Sequence, residues 1–579
     1  MNTMLLVRCL GLSALVALAL LGCDGSGSSS GGGSDPPAAA TDLLVYRSYP
    51  NPAQLYKLDT RGRATQLSDA LVTGGFSNET DYVVSPDRER VAFAYTLGDG
   101  RYALGIKRIS NGELEEPNPV FDGLEPTSIQ WQPDSRGLVF AVWQAAGANV
   151  YPNRSALYLA TLGEADPVKL MGDQAGSLNF GYAMSADGSA LAVQTFLRDT
   201  DAVPEPPLGS LYLLDLAAPG SPLLLDTLKG GGNAYAGSYY FKWAWSPYAN
   251  ELLYQQRETV APDYRYTPDD YARGPLMLAD MQGSNRVLRE VDDPWYVAWT
   301  WLDAQKILVA PRYRFEIIGT DGTLRAGHAS SGPVVPSPDA AKLAFLDSTG
   351  QLAPEGEVLA LDLETLEYRD LGPGTIFSYV PLVPYYSDLR WSPDSTQLAW
   401  NRLEMTDDGI GTGELYAHDF IESRTWTLIP GESAPRYLPW FSWLPDGGAL
   451  NYDLLAGESY QLTVTDLATD ATRGIGQNCS GVPAWRSNSE VLWNHCGDGL
   501  ALSELKDGAY RKTRLLDTEA RDIVLTGDRN IAVVHPAVLN EGNTTNIPDA
   551  NWQAYDFATG RLQELEGTGG TPCCGTLLQ

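Results

Sequence analysis

The stretch WSPDSTQLAW at 391–400 decides the fold, because a close relative, VSPDRERVAF, returns at 84–93. Proline fixes φ at the first position of a turn, aspartate accepts backbone N–H groups, and a small residue closes the turn. The apolar run that follows, such as KLAFL at 342–346, is typical of a strand buried on both faces. The sequence therefore predicts a repeated β-hairpin, with ten copies that begin at 85, 132, 185, 246, 302, 337, 392, 444, 486 and 526.

A second element follows these hairpins. It alternates apolar and polar residues, often ends in aspartate, and precedes a short polar strand such as GRLQELEG at 560–567. Eleven copies begin at 55, 102, 157, 211, 276, 315, 358, 415, 461, 500 and 552. Together the two elements predict a four-stranded antiparallel meander, repeated at the spacing of propeller blades.

Tryptophan precedes the turn in six copies of the hairpin. A ring at this position is expected to pack between adjacent sheets, where burial of roughly 200 Å² contributes about 5 kcal/mol as an upper bound. The six residues are Trp131, Trp245, Trp301, Trp391, Trp443 and Trp485.

These repeats resemble the TolB-like family of WD-type β-propellers over nearly all of residues 42–566. The family repeat runs Trp-Ser-Pro-Asp-Gly, an apolar strand, Ile-Tyr-x-x-Asp and a last strand. The chain departs from it at Ala186, Tyr248, Ala304 and 487–488, where the Pro-Asp pair is broken. The resemblance implies an all-β fold, a β-propeller of four-stranded antiparallel blades.

We count about 10 or 11 blades, whereas a single ring usually holds four to eight. Two tandem propellers are therefore expected, the first over 42–328 and the second over 329–579. The copy at 55 has no hairpin before it, so its blade takes an inner strand from elsewhere and closes a ring. The alternatives are a single large ring, or one ring with two divergent blades used as a docking edge.

The N-terminus predicts export and lipid anchoring. Arg8 and the apolar run at 10–22 form a signal peptide over 1–22, and Leu-Leu-Gly before Cys23 resembles a bacterial lipobox. Cys23 is then acylated with fatty acids such as palmitate, and the Gly/Ser-rich stretch within 23–41 is a flexible tether that reaches roughly 20–25 Å. Asp24 resembles the residue that retains some lipoproteins in the inner membrane, but the choice of membrane stays open, as does surface exposure.

The net charge and the cysteines limit which partners and which covalent links are expected. The formal net charge of −32 disfavours nucleic acid and anionic lipid as partners. In an oxidising periplasm, Cys479, Cys496, Cys573 and Cys574 are disulfide candidates. We favour Cys479–Cys496 with Cys573–Cys574, and other connectivities stay open.

The sequence predicts no catalytic residue. It lacks G-x-S-x-G and H-E-x-x-H, and its four histidines, His328, His418, His495 and His535, fall in different repeats. Asp407, Asp408 and Glu414 form a weak candidate for Ca²⁺, because hard cations prefer such oxygen ligands. A polar hairpin tip explains the same residues, and a soft-metal site at Cys479, His495 and Cys496 is a further alternative to a disulfide.

The most distinctive insertion, APDYRYTPDDYARG at 261–274, interrupts a blade. Aromatic and acidic side chains on one loop suit stacking on sugars or anchoring of a protein, although the loop could instead fold back on its own ring. The candidate binding residues are Tyr264, Tyr266, Asp269, Asp270 and Tyr271. A companion insertion at 196–209 lies one blade earlier, and the two could share a rim.

The favoured function is a membrane-anchored scaffold that binds envelope proteins, an expectation drawn from the family resemblance. A propeller that binds or processes glycans is the first alternative, since Asp and Glu could act as a carboxylate pair. A propeller gate for a separate peptidase is the second.

Overall fold

The computed structural model describes strands, turns and short connections over most of the chain after Thr41. The described residues are 42–47, 54–59, 64–68, 72, 82–144, 155–172, 177–198, 209–228, 243–256, 274–291, 298–310, 314–330, 334–347, 355–375, 389–405, 411–430, 440–456, 459–478, 483–495, 499–516, 518–526, 529–540, 543–546, 551–565 and 575–577. Within these ranges the regular secondary structure is β-strand, and no helix is long and apolar enough to span a membrane. The predicted all-β fold is confirmed.

The Ser-Pro-Asp turn folds through its own side chains. In the copy at 392, the Ser392 hydroxyl donates to Asp394 at 2.6 Å and accepts from the Gln397 backbone N–H at 2.9 Å. Asp394 accepts from the Thr396 N–H at 3.2 Å, and Ser395 takes a φ of 63°. These bonds fix the tight turn that the sequence predicts, and they place the following apolar run in register.

Eleven four-stranded blades follow one another. We number them along the chain and give their strands from the inner to the outer edge. Blade 1 holds β46 (Gly575–Leu577), β1 (Asp42–Arg47), β2 (Leu55–Asp59) and β3 (Ala64–Gln66); blade 2 holds β4 (Tyr82–Val84), β5 (Arg90–Gly98), β6 (Arg101–Arg108) and β7 (Leu114–Glu115), with β8 (Val120–Asp122) also paired to β6; blade 3 holds β9 (Leu124–Trp131), β10 (Gly137–Gln144), β11 (Ser155–Thr161) and β12 (Val168–Gly172).

The next five blades are regular. Blade 4 holds β13 (Ser177–Met184), β14 (Ala190–Arg198), β15 (Gly209–Asp215) and β16 (Leu223–Leu228); blade 5 holds β17 (Trp243–Trp245), β18 (Glu251–Gln255), β19 (Leu276–Asp280) and β20 (Asn285–Arg289); blade 6 holds β21 (Ala298–Trp301), β22 (Lys306–Ala310), β23 (Arg314–Gly319) and β24 (Leu324–Ala329); blade 7 holds β25 (Val335–Pro336), β26 (Lys342–Asp347), β27 (Glu355–Asp362) and β28 (Tyr368–Thr375); blade 8 holds β29 (Leu389–Trp391), β30 (Gln397–Met405), β31 (Gly411–Asp419) and β32 (Arg424–Ile429).

The last three blades include one joined pair. Blade 9 holds β33 (Phe441–Trp443), β34 (Ala449–Ala456), β35 (Ser459–Asp466) and β36 (Ala471–Asn478); blade 10 holds β37 (Ala484–Ser487), β38 (Glu490–His495), β39 (Gly499–Lys506) and β40 (Ala509–Leu516); blade 11 holds β41 (Glu519–Leu525), β42 (Ile531–Asn540), β44 (Gln553–Asp556) and β45 (Arg561–Glu564), with β43 (Asn543–Asn546) also paired to β42. Asn478 pairs with His495 and so links the sheets of blades 9 and 10.

The predicted pattern matches the strands. The apolar run after each hairpin is the second strand of a blade, and the alternating element is the third. Blades with a broken Pro-Asp pair keep four strands, as blade 5 does with Tyr248 in its turn. The first blade closes as expected, because β1 pairs with β2 on one side and with the C-terminal β46 on the other.

Neighbouring blades pack in one cyclic order. Apolar clusters occupy every junction from blade 1 to blade 11, and Tyr56 of blade 1 packs on the cluster of Val533 and Leu565 in blade 11. The junction of blades 6 and 7, at the predicted boundary 328/329, is filled like the others, with Phe315 against Phe345. These contacts follow the single-ring alternative. The division into two propellers stays a prediction, and the packing between blades shows no interruption at this boundary among the described residues.

The expected role of the tryptophans is confirmed at four junctions. Each indole N–H reaches back to a carbonyl on the inner strand of the preceding blade, at 2.8–2.9 Å. The pairs are Trp131 with Val83, Trp245 with Ala183, Trp391 with Val335, and Trp443 with Arg390. Trp301 and Trp485 occupy the same position, but their buried N–H groups have no hydrogen-bond partner.

The antiparallel strand order gives the blades two faces. We call one the turn face, because it holds the tight turns between first and second strands and between third and fourth strands. We call the other the connection face, because it holds the links between second and third strands and between blades. Adjacent turns touch on the turn face: the backbone N–H groups of Asp87 and Asp339 donate to Ser135 and Ser395 of the next blade, each at 3.0 Å.

Candidate functional site

Blade 8 carries a partly buried group of interacting ionisable side chains. Its second and third strands place Arg402 opposite Glu414, with Tyr416 two residues further on the same side. One Glu414 carboxylate oxygen accepts from Arg402 at 3.0 Å and from the Tyr416 hydroxyl at 2.7 Å. We call Arg402, Glu414 and Tyr416 the blade 8 cluster.

Aromatic rings enclose the blade 8 cluster against blade 7. Trp400 stacks on Tyr416 with 5.6 Å between ring centroids, and its indole N–H donates to the Pro373 carbonyl at 3.0 Å. Trp400 is fully buried and Glu414 nearly so. The surroundings explain why the charged pair is held in one geometry.

Burial and charge set the protonation of the blade 8 cluster. Burial, followed by hydrogen bonding to the Glu414 carboxylate, raises the pKa of Tyr416 to about 12. Burial disfavours the Arg402 cation, but the carboxylate outweighs it and raises the pKa of Arg402. Tyr416 therefore stays protonated at neutral pH and donates its hydrogen, which suits a structural ion pair rather than a general base.

His418 lies on β31, the strand that also carries Glu414 and Tyr416. Its Nδ1 lies 2.8 Å from the Thr425 hydroxyl, and its ring meets Phe420 edge-on at 4.8 Å. Burial, with a smaller contribution from the nearby Arg369 cation, lowers the pKa of His418 to about 4. The imidazole is neutral at neutral pH, and its buried Nε2 has no hydrogen-bond partner. Its contact with Thr425 joins two adjacent strands of the blade, β31 and β32.

The structure describes one of the three candidate calcium ligands, Glu414. Glu414 is engaged by Arg402 and Tyr416, whereas Asp407 and Asp408 lie outside the described residues. No group of three or more His, Cys, Asp or Glu side chains suited to a metal occurs among the described residues. Calcium binding stays a prediction.

The remaining predicted site residues lie outside the described ranges. They are the lipidation residue Cys23, the disulfide candidates Cys479, Cys496, Cys573 and Cys574, and the loop residues Tyr264, Tyr266, Asp269, Asp270 and Tyr271. The backbone pairing of Asn478 with His495 brings together the strands that precede Cys479 and Cys496. Both the disulfides and the binding loop stay predictions.

The four histidines fall on blades 6, 8, 10 and 11. His328 lies at the junction of blades 6 and 7, within ring contacts to Phe345 and Tyr368 at 5.1 Å each. His495 and His535 lie on β38 and β42. The four histidines thus lie on four different blades, as their spacing in the sequence indicates.

The strands that flank the two insertions lie side by side. The connection at 199–208 leaves β14 and enters β15 of blade 4, and the connection at 256–275 leaves β18 and enters β19 of blade 5. Both links join second to third strands, so their flanking ends lie on the connection face of neighbouring blades. The four strand ends that carry these two segments thus lie on one face of two neighbouring blades.

Sequence reasoning missed a set of arginines near the start of the outer strands. Each donates to the turn between the third and fourth strands of the next blade, and so ties two turns together. The pairs are Arg286 with the Thr320 carbonyl, Arg369 with Ser423, Arg424 with Asp470, and Arg473 with the Gly508 carbonyl. The available signal was a basic residue soon after a turn, repeated in several blades.

Sequence comparison finds no matching family model and no matching curated protein. Among solved structures, the chain is similar to a prolyl endopeptidase (15% identity, TM-score 0.30, 66% of this chain and 55% of that one), a eukaryotic initiation factor (12%, 0.34, 75% and 95%) and an oligogalacturonate lyase in complex with manganese (14%, 0.28, 74% and 98%). The chain thus spans about half of the prolyl endopeptidase. The assignment as a β-propeller rests on its own four-stranded sheets.

Proposed function

We propose that this protein is a binding scaffold of the bacterial envelope, anchored through Cys23 and docking other proteins on its connection face. The observation that carries the proposal is the difference between the two faces. The turn face consists of tight, internally bonded turns, whereas blades 4 and 5 send two long connections from adjacent strand ends of the other face. Binding residues on propellers and other rigid scaffolds commonly lie on such loops.

The described blades give no support to catalysis. Arg402 and Tyr416 are held in the blade 8 cluster, and His418 is buried as a neutral imidazole. In the turn of blade 4, the Asp187 carboxylate accepts hydrogen bonds from Ser185, Ser189 and Asn250. Polar turn residues are bonded within or between blades. These groups stabilise the ring, and the proposal therefore assigns recognition to the connections.

The binding residues we propose are Tyr264, Tyr266, Asp269, Asp270 and Tyr271. Tyrosine offers a large, rigid contact area with a polar end, and the acidic side chains favour a basic patch on the partner. A partner whose surface has a basic patch and a pocket for aromatic side chains fits this composition. No contact with nucleic acid is expected of so acidic a chain.

Crosslinking in intact cells, followed by capture of the protein and mass spectrometry, tests the proposal. A variant with 261–274 replaced by a two-residue turn should lose the main crosslinked envelope protein. The matched control replaces the blade 3 connection at 145–154, which lies between the equivalent strands β10 and β11. Retention of the partner in the first variant, or loss in both, contradicts the assignment of the loop.

Anchoring has its own test. Labelling cells with an alkyne fatty acid should mark the wild-type chain and not Cys23→Ala. If no protein partner is captured, titration with polysaccharide fragments, followed by tryptophan fluorescence, examines the glycan alternative.

A further inference from the structure

Both described ends of the folded chain lie on the turn face. Asp42, where the first strand begins, pairs with Asp59, the residue that precedes the turn to β3. Near the other end, Leu577 pairs with Leu44. The same position in blade 2 is Arg90, directly after the Ser-Pro-Asp turn. The segment at 23–41 therefore joins the ring at its turn face, on blade 1.

Large apolar side chains are exposed on this same face. Ile421, at the tip of the turn between β31 and β32, is 75% exposed, and Tyr248, in the turn between β17 and β18, is 54% exposed. Leu366 in a turn of blade 7 and Leu324 at the start of β24 are exposed as well. Leu114, Val168 and Leu223, at the starts of the fourth strands of blades 2, 3 and 4, are exposed on this face too. We call Tyr248, Leu324, Leu366 and Ile421 the apolar sector; it extends over blades 5 to 8 and holds the three most exposed of these side chains, Ile421, Tyr248 and Leu324.

The apolar sector lies far from the tether along the ring. In the cyclic order of eleven blades, blades 6 and 7 are the most distant from blade 1. A tether attached at blade 1 holds one edge near a surface, and the apolar sector supplies a second point of contact at the opposite edge. Contacts at two opposite edges of one face would fix the orientation of the ring relative to the membrane.

We propose that the turn face of the ring lies against the lipid bilayer, with the apolar sector in contact with the interfacial region and the connection face directed away. The proposal rests on the proposed lipid anchor at Cys23. It identifies the surface that a partner in the envelope can reach.

The length of the tether supports this occupant. A Gly/Ser-rich sequence of about 17 residues is expected to reach roughly 20–25 Å, which keeps the turn face close to a membrane that holds the acyl chains. Contact by a few apolar side chains is weak by itself, but anchoring raises the effective concentration of lipid at this face. A net charge of −32 opposes independent binding to anionic lipid, so the contact depends on the anchor.

Photo-crosslinking to lipid tests the orientation. The chain from residue 24 onward, with an N-terminal hexahistidine tag, is bound to phosphatidylcholine vesicles that contain a nickel-chelating lipid. A benzophenone amino acid is introduced singly at Ile421, at Tyr248, or at Leu97, which is 42% exposed near the end of β5 on the connection face. Mass spectrometry then measures lipid adducts at each site.

We expect adducts at Ile421 and Tyr248 at several times the yield at Leu97. The proposal would be overturned by equal yields at the three sites or by a higher yield at Leu97. It would also be overturned if no site gave an adduct although flotation showed that the protein was bound to the vesicles. Because the artificial tether replaces acylation, the result is independent of whether Cys23 is modified and of whether a protein partner exists. A second comparison, Ile421→Asp against Leu97→Asp, should lower adduct formation at Tyr248 only in the first variant.

Discussion

The hydrogen bond from Trp391 to the preceding blade can be measured against a natural control. Trp391 donates to the Val335 carbonyl at 2.9 Å, while the buried N–H of Trp485 has no hydrogen-bond partner. The two rings occupy the same position before the turn, are 8% and 6% exposed, and each meets one aromatic ring at 5.2 or 5.7 Å. Trp391→Phe and Trp485→Phe therefore differ chiefly in the hydrogen bond.

The difference in stability follows from this geometry. Both substitutions lose similar apolar contact, so that contribution largely cancels. Trp391→Phe also leaves the Val335 carbonyl without its indole donor, at a cost of about 1–3 kcal/mol, whereas Trp485→Phe removes an unpaired N–H. We expect Trp391→Phe to be less stable than Trp485→Phe by about 2 kcal/mol.

Differential scanning calorimetry provides the assay. If the roughly 540 residues after Thr41 unfold as a unit, about 2.1 cal/mol/K for each gives an unfolding entropy near 1.1 kcal/mol/K, and about 2 kcal/mol then lowers Tm by about 2 °C. Hydrogen exchange at the paired strands β25 and β26 should also be about 30-fold faster in Trp391→Phe. Equal Tm values, or a lower Tm for Trp485→Phe, would refute the assigned role of the indole bond.

Three further predictions concern an ion pair, a histidine and ring closure. Arg289→Met should destabilise the ring by about 2 kcal/mol in chemical denaturation, because it leaves the buried Glu316 carboxylate without its two contacts at 2.8 and 2.9 Å; Glu316→Gln, which keeps a polar group there, should cost less. The pKa of His418 is lowered from 6.5 to about 4 in the fold, so the unfolded chain binds the proton more readily between these values; stability should fall as pH drops from 6.5 towards 4, and His418→Gln should flatten that slope of Tm against pH. Residues 42–328 expressed alone should fail to give a cooperative melt, because they lack β46 and the packing of blade 7; a monomeric fragment with a sharp melt would instead support two propellers.

The regular parts of the blades could be predicted because their causes are local. The Ser392 turn is fixed by bonds within six residues, and its apolar strand follows directly. The third strand is recognisable by its alternating apolar and polar residues and by a final aspartate. Asp362 is an example, since it accepts hydrogen bonds from the N–H groups of Glu364 and Thr365 at 2.9 Å each. Such signals survive in a single repeat, so ten drifting copies still indicate the blade.

What could not be predicted depends on residues that are distant in the chain. Strand β46 has three residues and no apolar pattern of its own, and it forms because the edge of β1 needs a partner. Arg402 and Glu414 are twelve residues apart and meet only through the register of β30 and β31. An arginine such as Arg424 finds its partner, Asp470, on another blade. The candidate site was hard to foresee for the same reason, since register and neighbouring blades assemble it.

The two faces also differ in how freely the sequence can vary. A turn such as that at Ser392 must satisfy its own bonds and also meet the next blade, as the Asp339 N–H does at Ser395, so its length is nearly fixed. Links between second and third strands differ widely in length: in blade 5 the link spans 256–275, whereas in blade 9 it spans 457–458. Loops that tolerate such differences in length are where binding residues commonly lie. If the turn face is held at the membrane, this freedom lies on the face that a partner can approach.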